Sequence, residues 1–125
     1  MAPKLRMKFD NLPAHSSKKL YVCHINLIEM NMDKIIALCK KYKVAKLWVF
    51  GSILTDRFND DSDVDFSVKF DKHNIPLLDY ADNYLDLLES LSSLFARKVD
   101  LITEDSLTNP YFIKELNATK KLIYG

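Results

Sequence analysis

Glycine is almost absent from this sequence. Among 125 residues there are two, Gly51 and Gly125. Motifs that cradle phosphate with several glycines, such as the Walker loop, the dinucleotide fingerprint and the kinase lid, are therefore excluded. If the protein handles a nucleotide, it does so with a single glycine. Cysteine is equally scarce. Cys23 and Cys39 cannot frame a disulfide-stapled secreted module and are too few for a structural zinc site. Both are expected to be reduced thiols, which implies a cytoplasmic protein. No apolar run approaches the roughly 18 residues of a spanning helix, so no membrane span is expected. Neither sign of charge dominates. Eighteen basic and seventeen acidic side chains leave a net charge of +1, giving no bulk attraction to nucleic acid or a membrane surface. What is present is an ordinary globular balance, 48% hydrophobic and 28% charged, in a chain long enough for one domain with one modest core.

The charge is unevenly spread. Lys4, Arg6, Lys8, Lys18 and Lys19 face only Asp10 and Glu29 in the stretch up to Met32, and the remainder is slightly acidic. The apolar run from Leu20 to Ile28 is broken by His24 and Asn26, which excludes a secretory signal. Three readings of residues 1–31 stay open: a disordered basic arm, an extra edge strand over Leu20 to Ile28, or an upstream extension before a start at Met30 or Met32. Residues 1–31 are read as a dispensable N-terminal extension and residues 32–125 as the folded domain, with a basic arm that grips RNA or a partner as the alternative.

From Met32 onward the periodicity sharpens. Asp33 to Tyr42 places Ile35, Ile36, Leu38, Cys39 and Tyr42 along one helical stripe. Lys46 to Phe50 reads as a short buried strand. Asp63 to Phe70 alternates strictly, with Val64, Phe66, Val68 and Phe70 facing one way and Asp63, Asp65, Ser67 and Lys69 the other. Leu77 to Phe95 reads as a long helix with Leu77, Ala81, Tyr84, Leu88, Leu91 and Phe95 inward, and Pro76 suits its first turn. Lys98 to Ile102 is a third strand. Ser106 or Asn109 caps a last helix that turns Ile113 and Leu116 inward, and Leu122 to Tyr124 ends the chain as a short extension. This order predicts an α/β (α+β) fold, a small mixed sheet flanked by helices.

The chemistry concentrates between Phe50 and Asp65, and again at Asp100. Asp63 and Asp65 stand at i and i+2 on a strand, so both carboxylates project from one face. Two such charges repel unless something positive lies between them, and a hard divalent cation with oxygen ligands answers that need. Asp100 lies mid-strand. If its strand pairs beside that of Asp65, a third carboxylate joins the cluster, and three carboxylates can hold two metals for in-line attack at phosphate. Gly51 and Ser52 follow an apolar strand, where glycine lets the backbone approach a ligand and the serine hydroxyl and amides can receive an anion. Arg57 can add a charge-assisted contact to phosphate. Taken singly, a Gly-Ser after a strand is ordinarily a turn, and an Asp-x-Asp ordinarily a solvated edge. Together, at this spacing, they arise by chance in about one chain of several hundred.

At these residues the sequence resembles a known family. Gly51-Ser52, ten residues, then Asp63-Val64-Asp65 looks like the signature of the DNA polymerase β-like nucleotidyltransferases. The small size, Val99-Asp100-Leu101 and the closing Asn109 to Tyr124 segment resemble the minimal nucleotidyltransferases among them. The chain departs from the usual continuation, a small residue, an Arg and a second Gly, and carries Ile53-Leu54-Thr55-Asp56-Arg57 instead. The resemblance implies that Asp63, Asp65 and Asp100 are catalytic and bind Mg²⁺, with two ions expected. Gly51, Ser52 and Arg57 would take the triphosphate. The implied reaction moves a nucleoside monophosphate, most often AMP from ATP, to an acceptor hydroxyl. It also implies an antitoxin paired with a HEPN-type ribonuclease toxin, whose tyrosine some relatives adenylylate. A small-molecule, antibiotic-type transferase and a catalytically silent binding antitoxin are the alternatives.

A chain this short leaves few residues for an acceptor domain. A partner surface or homo-oligomerisation is then needed to dock the acceptor. Tyr80, Tyr84 and Leu85 are candidates for that surface or for the core. His15, His24 and His73 lack metal-ligand spacing, and Asp60 and Asp61 read as a solvated loop.

Overall fold

The computed structural model describes residues 26–125, and the readings of residues 1–25 lie outside it. Residues 26–30 form a helical turn. This corrects the edge-strand option for Leu20 to Ile28 at its C-terminal end. The turn sinks Ile28 fully into the core, with Leu27 packed at the core's margin. Asn31 joins this turn to the next helix. Its side-chain amide donates to the Leu27 carbonyl at 2.8 Å, and its own carbonyl accepts from the Ile35 amide at 2.9 Å. The core therefore reaches past Met32, the expected start of the domain.

Helix α1 (Met32–Lys41) buries Met32, Ile35, Ile36 and Cys39, the stripe its spacing predicts, and Leu38 and Tyr42 pack at the core's edge. Lys40 and Lys41 occupy its last turn, where cations suit the helix dipole. Burial pushes the Cys39 thiol up to about 12, so it behaves as a small apolar side chain. Lys43 turns the chain with φ 57° into strand β1 (Val44–Phe50).

Strand β2 (Val64–Phe70) runs antiparallel to β1, with Phe50 opposite Asp65. A helical crossover then returns the chain to strand β3 (Val99–Thr103), which pairs parallel to β2. The last strand, β4 (Lys121–Tyr124), pairs antiparallel with the other side of β1, so the order is β3-β2-β1-β4. The closing extension expected at Leu122 is thus an edge strand, and its Ile123 is buried.

The crossover helix α2 (Tyr80–Phe95) begins later than Leu77. Leu77–Asp79 form a tighter 3-10 turn that leaves Leu77 and Leu78 almost fully exposed. Ala81 also faces solvent, at the edge of the inward arc. The stripe that meets the sheet is Tyr80, Tyr84, Leu87, Leu88, Leu91, Leu94 and Phe95. Tyr80 and Tyr84 are therefore core-packed, while Leu85 is exposed. Phe66 and Phe95 rings meet at 5.8 Å between centroids, and Phe70 and Tyr80 at 5.5 Å, edge to face. Helix α2 ends where Ala96 takes the left-handed region, and the Ala96 and Arg97 amides donate to Ser93 and Ser92 carbonyls.

The sheet has one apolar face, built from Leu47, Val49, Val64, Phe66, Val68, Phe70, Val99, Leu101 and Ile123, against α1 and α2. The other face carries Trp48, Phe50, Asp65, Ser67, Asp100 and Ile102 by strand alternation. Helix α3 (Pro110–Thr119) lies towards this second face, with Phe112 against Phe50. Ser67 lies on the face that alternation assigns it, fully buried between Trp48 and Ile102 in register, and its hydroxyl has no hydrogen-bond partner among the described residues. A clamp closes this side. Lys120 bonds Glu104 at 2.5 Å and lies 3.9 Å from the centroid of the Trp48 ring.

Candidate active site

The site forms where β1 ends and β2 and β3 begin. Strand β1 delivers Phe50 in extended geometry, and Gly51 then reverses the chain with φ +81°. A Cβ at Gly51 would strike the Asp65 Oδ2 atom and lie 3.2 Å from its Cγ. Glycine is thus required twice, by its backbone angle and by the carboxylate against it. Gly51–Leu54 make one 3-10 turn, with Ile53 buried beneath it. The Ser52 carbonyl accepts from the Thr55 amide at 2.9 Å and from Thr55 Oγ1 at 2.8 Å, which locks the turn.

The loop that follows is also held. Arg97 donates to the Asn59 and Ser62 carbonyls at 3.1 and 3.0 Å, and its guanidinium lies 4.8 Å from the centroid of the Phe58 ring. Phe58 is buried. Asn59 and Ser62 bond each other across the bend, leaving Asp60 and Asp61 exposed, as their solvated reading requires. The loop thus brings Asp63 to the start of β2 in a fixed position. Arg57 lies in the same loop with its side chain exposed, and it makes no ion pair among the described residues.

The parallel pairing of β2 with β3 sets Asp65 directly opposite Asp100. The condition stated for Asp100, that its strand pair beside that of Asp65, is met. The two carboxyls therefore project side by side from one face of the sheet. Burial raises the Asp65 carboxyl to about 6, reinforced by the hydrogen bond to Asp100 and by the charges of Asp100 and Asp63, and opposed by Lys98. Lys98 is a residue that the motif reading passed over. Its ammonium lies 3.7 Å from Asp63 and 3.9 Å from Asp100, on a side chain 71% exposed. Its position two residues before Asp100 was a usable signal, because residues at i and i+2 of a strand share a face. Tyr84 was assigned to interface or core. Its hydroxyl donates to the Leu101 carbonyl beside Asp100, and burial, with the charge of Asp100, raises its phenol.

Among the described residues, no group of three His, Cys, Asp or Glu side chains is already drawn together to hold a metal ion. The donor chemistry nevertheless fits a hard cation. All three candidates are carboxylates, two of them paired across neighbouring strands, with Lys98 offsetting the charges of Asp63 and Asp100. The exposed Lys98 ammonium supplies positive charge beside Asp63 and Asp100.

The sequence profile described as "Polymerase beta, Nucleotidyltransferase" matches residues 33–125. The chain belongs to the polymerase β nucleotidyltransferase family. A protein of Methanocaldococcus jannaschii named as a protein adenylyltransferase is 40% identical over 84 residues, spanning 67% of this chain and 79% of the relative. Among solved structures, a chain of a toxin–antitoxin complex with AMP-PNP superposes with a TM-score of 0.58 at 23% identity, covering 76% of this chain and 73% of that one. A chain of the complex between a tri-AMPylated Shewanella oneidensis HEPN toxin and its MNT antitoxin gives 0.53 at 22% identity, over 77% and 71%. This nucleotidyltransferase shares their fold, the mixed sheet with flanking helices expected of a minimal nucleotidyltransferase. Among its described residues, no helix is long and apolar enough to cross a membrane.

Proposed function

We propose that the protein transfers AMP from ATP to a hydroxyl of a protein acceptor, with Mg²⁺, as the antitoxin of a HEPN-type toxin. The observation that carries this reading is the register that sets Asp65 against Asp100 beside the Gly51 turn, with Asp63 one position before β2. The likeness to an archaeal protein named as an adenylyltransferase supports AMP transfer. The toxin–antitoxin complexes that share the fold support the partner.

In this reading the amides and hydroxyl of Gly51 and Ser52 bind the outer phosphates, and Arg57 can swing to them from its exposed loop. Asp63, Asp65 and Asp100 would hold Mg²⁺, which when bound neutralises charge on the phosphates. Asp100, half-exposed, receives the proton of the acceptor hydroxyl. The acceptor oxygen bonds the α-phosphorus, the bond to the β-bridging oxygen breaks, and pyrophosphate leaves. The buried Phe58 and the Arg97 bonds keep Asp63 from drifting as this happens.

The test uses α-labelled ATP, Mg²⁺ and the purified protein, with the product of an adjacent all-helical reading frame as acceptor. Label is expected on the partner protein, and Asp63→Ala and Gly51→Ala are expected to lose at least 100-fold in rate. Label found only on small molecules would move the assignment to the antibiotic-type alternative. Inhibition of the partner without any transfer would make the protein a silent binder.

A further inference from the structure

The first turn of α3 carries two aromatic residues, and one of them, Phe112, packs on Phe50 at the start of the phosphate turn. Phe50 directly precedes Gly51 and pairs across the strands with Asp65. Phe112 meets the Phe50 ring edge to face, at 6.5 Å between centroids and an interplanar angle of 77°. Tyr111, next to it, is 84% exposed, and Phe112 is 39% exposed. These rings are not on a loose end. Asn109 Oδ1 accepts from the Tyr111 amide at 2.9 Å and the Phe112 amide at 3.3 Å, and Pro110 fixes the first helical position. The cap therefore fixes the backbone that carries both rings, and Phe50 packs against the ring of Phe112.

We propose that Phe112 and Tyr111 form the platform on which the nucleobase of the bound nucleotide stacks, with Phe50 as its floor. The proposal rests on the reading that Gly51 and Ser52 hold the triphosphate. Phe50 adjoins those phosphate ligands in the chain, so a nucleotide anchored by its phosphates there has its base within reach of this ledge. Flat rings answer the need of a purine, which has a large π-face and is held by stacking without matched hydrogen-bond partners. The ledge thus supplies affinity for a base, and its breadth favours a purine over a pyrimidine.

The experiment compares binding of ATP with binding of inorganic tripolyphosphate, both with Mg²⁺, to the full chain and its variants. Tripolyphosphate carries the charge but not the base. Phe112→Ala is expected to weaken ATP fivefold to a hundredfold while tripolyphosphate affinity stays within twofold, and Phe112→Trp is expected to restore ATP. Tyr111→Ala, at a nearly fully exposed position, should show the same split more weakly and covers the case in which Phe112→Ala misfolds. Equal losses for both ligands, or no loss for either, would overturn the platform. Unchanged ATP binding with lost partner binding would overturn it too, and assign the rings to the partner interface. A wild-type protein that binds neither ligand would overturn the triphosphate reading first, and the platform with it.

Discussion

Asp65 is held at a cost, and the cost is measurable. Its carboxyl is raised from 3.8 to about 6 because burial and two neighbouring carboxylates oppose its charge. A carboxyl raised in the folded state binds its proton more tightly there than in the unfolded chain. The nucleotide-free protein should therefore lose stability as pH rises from about 4 through about 6, and stay at the lower level above. Urea midpoints across that window should fall, and Asp65→Asn should flatten the fall. A midpoint that rises through the window instead would show that Asp65 is stabilised as an anion. The three aspartates were legible because period-two geometry needs no tertiary knowledge to place Asp63 and Asp65 together. Asp100 needed only the condition of strand pairing. Arg97 was not legible, because its bonds to the Asn59 and Ser62 carbonyls span loops that sequence spacing cannot join. The burial of Ser67 was not legible for a related reason. Alternation gives the face of a side chain but not what covers that face.

The helical turn over residues 26–30 shows how an element escapes sequence reading. The run from Leu20 to Ile28 is short, apolar and rich in β-branched residues, and such runs do not separate strand from helix by periodicity. The structure resolves the described end as helix because Ile28 and Ile35 both fall on the inward side, linked through Asn31. Ile28→Ala should therefore cost about 2–5 kcal/mol, read by chemical denaturation. A loss under about 0.5 kcal/mol, the usual size for a surface change, would return this segment to the dispensable extension. Helix α2 was read correctly in its body and wrongly at its start. Leu77 satisfies an i+4 run with Ala81, but the chain after Pro76 makes a tighter turn whose side chains do not continue the α-helical stripe. Helix α3 was read well because Asn109 and Pro110 are local signals that act within one turn.

At the scale of the molecule, a domain with one modest core gains much from any ligand that binds only its folded form. Mg²⁺ with ATP at a hundredfold over its Kd should add about 2.7 kcal/mol, which for a chain of this size raises Tm by roughly 10 °C. Asp65→Asn should abolish the ATP-dependent part. A thermal melt that ATP leaves unmoved in wild type, with or without Mg²⁺, would count against nucleotide binding at this end of the sheet. The order of strands was only partly legible. Strand identities follow from composition, but β4 on the free edge of β1 required the whole chain to be in place. The register of β2 on β3 has one more consequence. Val64 faces Val99 and Asp65 faces Asp100 in the same ladder. A slip of one residue would push Asp100 into the apolar layer and bring Val99 out among the carboxylates. The same threading error would thus disrupt both the interior and the carboxylate cluster. Folding here doubles as proofreading: a copy threaded wrongly loses its interior together with its carboxylate cluster.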